Sequence, residues 1–136
     1  MKRPLKPSYI KKMDRTTRIY MAALFDADGT TGVYYGRATN KYRTRIEIVT
    51  ANEDYADWIR EKTGLRKTKR HKKIPYQGHY FLLNTEAMLS MKDFFEQILE
   101  FTMLKTDQIK VMLKYIDGEI SAEDAMNSFK ALKKVY

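Results

Sequence analysis

The chain has 136 residues, enough for one domain with a real core and too few for two. Its 26 Lys and Arg stand against 17 Asp and Glu, and the resulting formal charge of +9 is the footprint of a protein that meets phosphates. With no cysteine and only two histidines, His71 and His79, disulfides and thiolate metal sites are excluded, and the histidines cannot make a zinc site by themselves.

Residues 1–12 hold two of the three prolines and five Lys or Arg, which predicts a basic arm ahead of a single domain at 13–136. The start MKRPLKPSYIKKM is basic but has no apolar core of a signal peptide, and no run reaches membrane-spanning length. The expectation is a protein of the cytoplasm or nucleoid, not secreted and with no membrane partner.

From Asp14, a candidate cap, the pattern is helical, with Ile19, Ala22, Ala23 and Asp26 on one side. Gly29 is expected to end that helix in a left-handed turn. Thr31 to Ala38 is β-prone, with ATNK as a turn; whether Tyr34 or Tyr35 points outward is open at this level. Next, Lys41, Arg43, Arg45 and Glu47 alternate with Tyr42, Thr44, Ile46 and Ile48, which predicts a strand with one charged and one apolar face.

NEDYADWIREKTG reads as a helix capped by Asn52 and ended by Gly64. LRKTKRHKK and GHYFLLN form a second hairpin with IPYQ between them. Its basic run, Arg66, Lys67, Lys69, Arg70, His71, Lys72 and Lys73, is placed to touch phosphates and bases. Three helices follow, at about Glu86–Phe101, Thr106–Asp117 and Ala122–Val135, the last opened by a capping-box pattern at Ser121 to Asp124. Trp58, Phe94, Phe95, Leu99 and Phe101 are expected in the core. The order is α-ββ-α-ββ-α-α-α.

The stretch FDADGT at residues 25–30 carries the chemistry. As a calcium loop counted from Asp26, its sixth position is Thr31 instead of glycine and its twelfth is Arg37 instead of glutamate, so an EF-hand is excluded. LFDADGT also resembles the first motif of haloacid-dehalogenase phosphatases, with Asp26 as nucleophile and Asp28 as acid/base at the end of a strand. The βαβ alternation of such a fold is missing.

Met21 to Gly29, MAALFDADG, is similar to the nine-residue motif of the LAGLIDADG homing endonucleases, identical at Ala22, Leu24, Asp26, Ala27, Asp28 and Gly29. The resemblance extends over about residues 13–115. It implies an α+β fold, αββαββα, with a four-stranded antiparallel saddle on DNA and additional C-terminal helices. It implies a homodimer in which the motif helices cross, with Ala22, Ala23 and Asp26 at the interface and small side chains allowing close approach.

The same resemblance implies cutting of both strands of a long pseudo-palindromic duplex DNA site by metal-dependent phosphodiester hydrolysis. Asp28, with the Ala27 carbonyl, would bind Mg²⁺ or another divalent cation. Lys105, in MLK before the helix TDQIKVMLKYI, takes the place of the family's catalytic basic residue. Thr50 or Asn52 would order active-site water, and Lys41, Arg43, Arg45, Glu47, Arg66, Lys67, Lys69 and Arg70 would contact DNA. A splicing maturase that binds intron RNA, or a DNA-binding protein that does not cleave, fits the same resemblance.

Overall fold

A computed structural model describes residues 5–71 and 78–133. Lys72, Lys73 and the expected IPYQ turn lie outside them, as does the far end of the last helix.

The first helix, α1 (Arg15–Asp28), starts where the Asp14 carboxylate accepts the Thr17 N–H at 2.7 Å. It presents Met21, Ala22 and Phe25 to the core. Phe25 packs edge-on against Phe95 and Phe94, with ring centroids 5.5 and 6.3 Å away. Fully burying side chains of this kind contributes about 1.5–3 kcal/mol each. The helix ends at Gly29, but not in the expected left-handed turn. Gly29 is extended (φ −78°, ψ 150°) and begins a strand at once. Glycine is required there by proximity, since a Cβ would lie 2.1 Å from the Phe25 ring.

Strand β1 (Gly29–Gly36) pairs antiparallel with β2 (Lys41–Thr50). The turn lies at residues 37–40, one residue earlier than ATNK, with Asn40 at φ 53°. Helix α2 (Glu53–Thr63) is capped by Asn52, whose Oδ1 accepts the Tyr55 N–H at 2.9 Å. It stops at Gly64 (φ 85°), where a Cβ would also meet the Tyr9 carbonyl oxygen at 2.5 Å. Only glycine serves both demands.

The second hairpin, β3 (Arg66–His71) and β4 (His79–Thr85), completes one antiparallel sheet of order β1-β2-β4-β3. With α3 (Met88–Ile98), the elements give αββαββα. The helix expected over 86–101 is interrupted: after Ile98 the chain tightens into a 3₁₀ turn, Leu99–Phe101. Helices α4 (Thr106–Ile116) and α5 (Ala122–Lys133) follow, the latter with the Ser121 hydroxyl accepting the Asp124 N–H at 3.0 Å. YMAALF is helical and the sheet is antiparallel, which overturns the strand-borne Asp26 nucleophile of a phosphatase.

Residues 8–12, the end of the stretch read as a basic arm, and Met13 run along the helices. Ile10 and Met13 are buried, the Lys11 N–H donates to the Thr63 carbonyl at 2.9 Å, and the Ser8 hydroxyl donates to Asp93. The core lies between the sheet and the helices, with Ile46, Ile48, Phe81 and Leu83 from the strands meeting Met91, Phe94, Phe95 and Ile98 of α3.

Candidate nucleic-acid interface and carboxylate site

Strand register assigns each side chain to a face of the sheet. Directly opposed residues share a face, so Thr30, Gly32, Tyr34 and Gly36 of β1 lie with Glu47, Arg45, Arg43 and Lys41 of β2. Pairing carries this face through Asn84 and Leu82 of β4 to Arg66 and Thr68 of β3, with Arg70 opposite Tyr80. Among the described residues it holds five cations, Lys41, Arg43, Arg45, Arg66 and Arg70, and one acid, Glu47. The other face contains Thr44, Ile46, Ile48, Phe81 and Leu83 and packs on the helices.

Tyr34 stands on the charged face and Tyr35 on the other, where it meets Tyr42 with centroids 5.1 Å apart.

The basic run of β3 divides in the same way. Arg66 and Arg70 join the charged face, while Lys67 and Lys69 oppose Leu83 and Phe81 on the helix side. Lys67 Nζ donates to Asp57 at 2.6 Å and to Glu53 at 2.9 Å, both on α2. Those two hydrogen bonds raise its pKa above the usual lysine value. Lys67 is therefore a structural cation between sheet and helix. Glu53 and Asp57 give the acidic NEDYADW segment a partner that the sequence alone does not reveal.

At the end of α1 the two motif aspartates part. Asp26 is half-buried, and its carboxylate accepts the backbone N–H groups of Met103, Leu104 and Lys105 at 2.7, 3.1 and 2.9 Å. Three consecutive amides aimed at one carboxylate form a strong, charge-assisted clamp. Within its own chain Asp26 thus joins the motif helix to the loop before α4.

Asp28 is exposed and makes no hydrogen bond or ion pair among the described residues. The Ala27 carbonyl lies in the last turn, where helix carbonyls lack intrahelical donors.

Lys105 folds back under this helix end. Its Nζ donates to the Phe25 carbonyl at 3.1 Å and to the Gly29 carbonyl, and it lies 5.5 Å from the centre of the Phe25 ring. Burial lowers its pKa below the usual lysine value, opposed by the attraction of Asp26 and Asp28. An ammonium and a free carboxylate thus flank one helix terminus.

Thr50 and Asn52 have local tasks. The Thr50 hydroxyl accepts the Asn52 N–H at 3.2 Å, and Asn52 caps α2. The Asn52 amide nitrogen has no partner among the described residues.

Ala22 is fully buried in its own chain. Ala23 is on the free face instead, in an exposed stripe with Ile19, Tyr20 and Ala27. Tyr20 is anchored sideways, its hydroxyl 2.6 Å from that of Tyr55 and its ring edge-on to Trp58 at 5.0 Å. Trp58, expected as plain core, is only partly buried and forms a shelf with Tyr55 beside this stripe. Burial and the hydrogen bond from Tyr20 raise the Tyr55 pKa.

Among the described residues there is no group of three or more His, Asp or Glu able to hold a metal ion. Asp28 fits a hard cation by donor type, as one free, exposed carboxylate, but one chain supplies only that one. No helix among the described residues is long and apolar enough to cross a membrane.

No protein-family model matches the chain, and no curated protein matches it in sequence. Solved structures do match in fold. An archaeal intron-encoded homing endonuclease complexed with DNA, I-Vdi141I, superposes with a TM-score of 0.58 at 17% identity, covering 88% of this chain and 79% of that one. The homing endonuclease I-CvuI, solved with magnesium and uncleaved DNA, gives 0.58 at 19% identity over 76% of this chain and 67% of that chain. The LAGLIDADG homing endonuclease I-GzeII with its DNA target gives 0.53 at 14% identity, covering 92% of this chain but only 44% of that one. The protein has the LAGLIDADG homing-endonuclease fold. MAALFDADG occupies the first helix of that fold and its junction with the first strand.

Proposed function

We propose that the chain is a site-specific DNA endonuclease of the LAGLIDADG family that acts as a homodimer on pseudo-palindromic duplex DNA. The observation that carries this reading is the exposed stripe Ile19, Tyr20, Ala23 and Ala27, running down α1 to Asp28, which has no partner among the described residues. A second copy crossing at Ala23 covers the stripe and brings a second Asp28 to the first. A symmetric reader of this kind selects a symmetric site.

In the dimer, Asp28 of each subunit, with the Ala27 carbonyl, would hold Mg²⁺ or another divalent cation. Such an ion, when bound, activates water and stabilises the leaving oxygen. Lys105 is held by its backbone through Asp26 and by its ammonium against the end of α1, and it offers positive charge to the scissile phosphate. The free amide of Asn52 is suited to orienting water.

Lys41, Arg43, Arg45, Arg66 and Arg70 are the DNA-facing cations of the sheet, with arginine suited to guanine in the major groove. A dimer doubles the formal +9 of each chain, which steers the protein to DNA without sequence preference.

The test is incubation with a randomised duplex library and Mg²⁺, followed by sequencing of the cut products. The expected result is a two-fold-related motif cut on both strands. Recovery of bound but uncut DNA, or tight binding to structured intron RNA instead, would contradict the endonuclease reading.

A further inference from the structure

On the charged face, Arg45 is seated against two neighbouring side chains. The Arg45 guanidinium carbon lies 4.5 Å from the centre of the Tyr34 ring, and its Nη1 is 3.3 Å from a Glu47 carboxylate oxygen. The Arg45 side chain remains 44% exposed, so the group is held yet still open to a ligand. Arg45 is opposite Gly32 in the register, and Tyr34 leans back over that glycine. A Cβ at position 32 would stand 2.9 Å from the Tyr34 hydroxyl oxygen and 3.0 Å from its Cζ. Gly32 has no positive φ, so it is free of that conformational demand. Its lack of a side chain is what lets the ring lie flat.

An aromatic face below and a carboxylate at the edge fix a guanidinium in plane and orientation. A side chain already ordered loses less freedom on binding, and its geometry discriminates more sharply.

We propose that Gly32, Tyr34 and Glu47 form a seat that fixes Arg45 as the reader of one base pair in each half-site. The inference rests on the DNA-reading function proposed above and adds that specificity at this pair is set by residues that position Arg45. Glu47 then orients Arg45 and is not itself a reader of cytosine. Gly32 and Tyr34 are positioning residues whose loss changes selectivity more than fold. At position 32 the atoms nearest an added methyl belong to the outer end of the Tyr34 side chain, so the ring is displaced while the strand is kept.

The experiment selects bound duplexes from a randomised library in Ca²⁺ and sequences them for the wild type and for Arg45→Ala, Gly32→Ala, Tyr34→Leu, Tyr34→Phe and Glu47→Gln. Arg45→Ala identifies the position read. Gly32→Ala, Tyr34→Leu and Glu47→Gln should weaken preference at that same position by about tenfold and leave the other positions unchanged. Tyr34→Phe, which keeps the ring, should retain the preference. Thermal melting of Gly32→Ala should match the wild type, which separates loss of the seat from loss of the fold. A wild-type motif that these variants leave intact, or weaken evenly at all positions, overturns the seat alone. A wild type that enriches no motif overturns both the seat and the DNA-reading function.

Discussion

The Asp26 carboxylate accepts the backbone N–H of Lys105 at 2.9 Å, across 79 residues of sequence. The same carboxylate takes the two preceding amides, so the motif helix holds in place the loop that carries Lys105. The first aspartate of the motif thus acts on the lysine through its backbone, while the second has no partner among the described residues.

This division predicts unequal stability effects for the two carboxylates. Asp26→Ala strands three amides, and the loss of charge-assisted bonds should cost about 1–3 kcal/mol. Asp28→Asn removes a carboxylate with no partner among the described residues and should leave the melting temperature unchanged or slightly raised. Thermal denaturation of both variants checks this, and equal destabilisation would contradict it.

Lys105 is desolvated, and its pKa is lowered from the usual lysine value of 10.5. An amine with a depressed pKa loses its proton earlier as pH rises. If its charge supports cleavage, activity should fall on the alkaline side at a pH below 10.5. Lys105→Arg, which stays charged, should remove that alkaline limb. A pH–rate profile identical in the two proteins would contradict the assignment.

The two adjacent alanines should behave differently on enlargement. Ala22 is fully buried, so Ala22→Leu overpacks the core and should cost about 1–3 kcal/mol. Ala23 faces outward, so Ala23→Arg should leave secondary structure intact while shifting sedimentation from dimer to monomer. A protein that sediments as a monomer before substitution would refute the crossed-helix assembly.

The cations of β3 should also separate. Arg66 lies on the charged face, whereas Lys67 is committed to Glu53 and Asp57. Arg66→Ala should weaken DNA binding and reduce the slope of log affinity against log salt by about 0.9 for each phosphate that the arginine neutralises. Lys67→Met should leave that slope unchanged and lower stability instead. Titrations at several salt concentrations distinguish the two.

The alternation from Lys41 to Ile48 made β2 legible in the sequence, because a period of two admits only one division of its faces. The Asp14, Asn52 and Ser121 caps are equally plain, since capping is decided within a few residues. The contiguous run of β3 was harder. Polar residues on both faces gave no periodic signal, and the division of Lys67 from Arg66 depends on the acids of α2. The two glycines of β1 hid its register in the same way, until pairing with β2 placed Tyr34 beside Arg45. The tie between Asp26 and Lys105 spans most of the chain, and no local pattern encodes it.

The role of Asp28 is decided by comparing wild type and Asp28→Asn on a duplex site recovered from the cleaved library, with Mg²⁺ present. The expected result is undiminished binding with cleavage of both strands abolished in the variant. Cleavage that survives in Asp28→Asn would show that this carboxylate does not hold the catalytic cation, and would contradict the proposed mechanism.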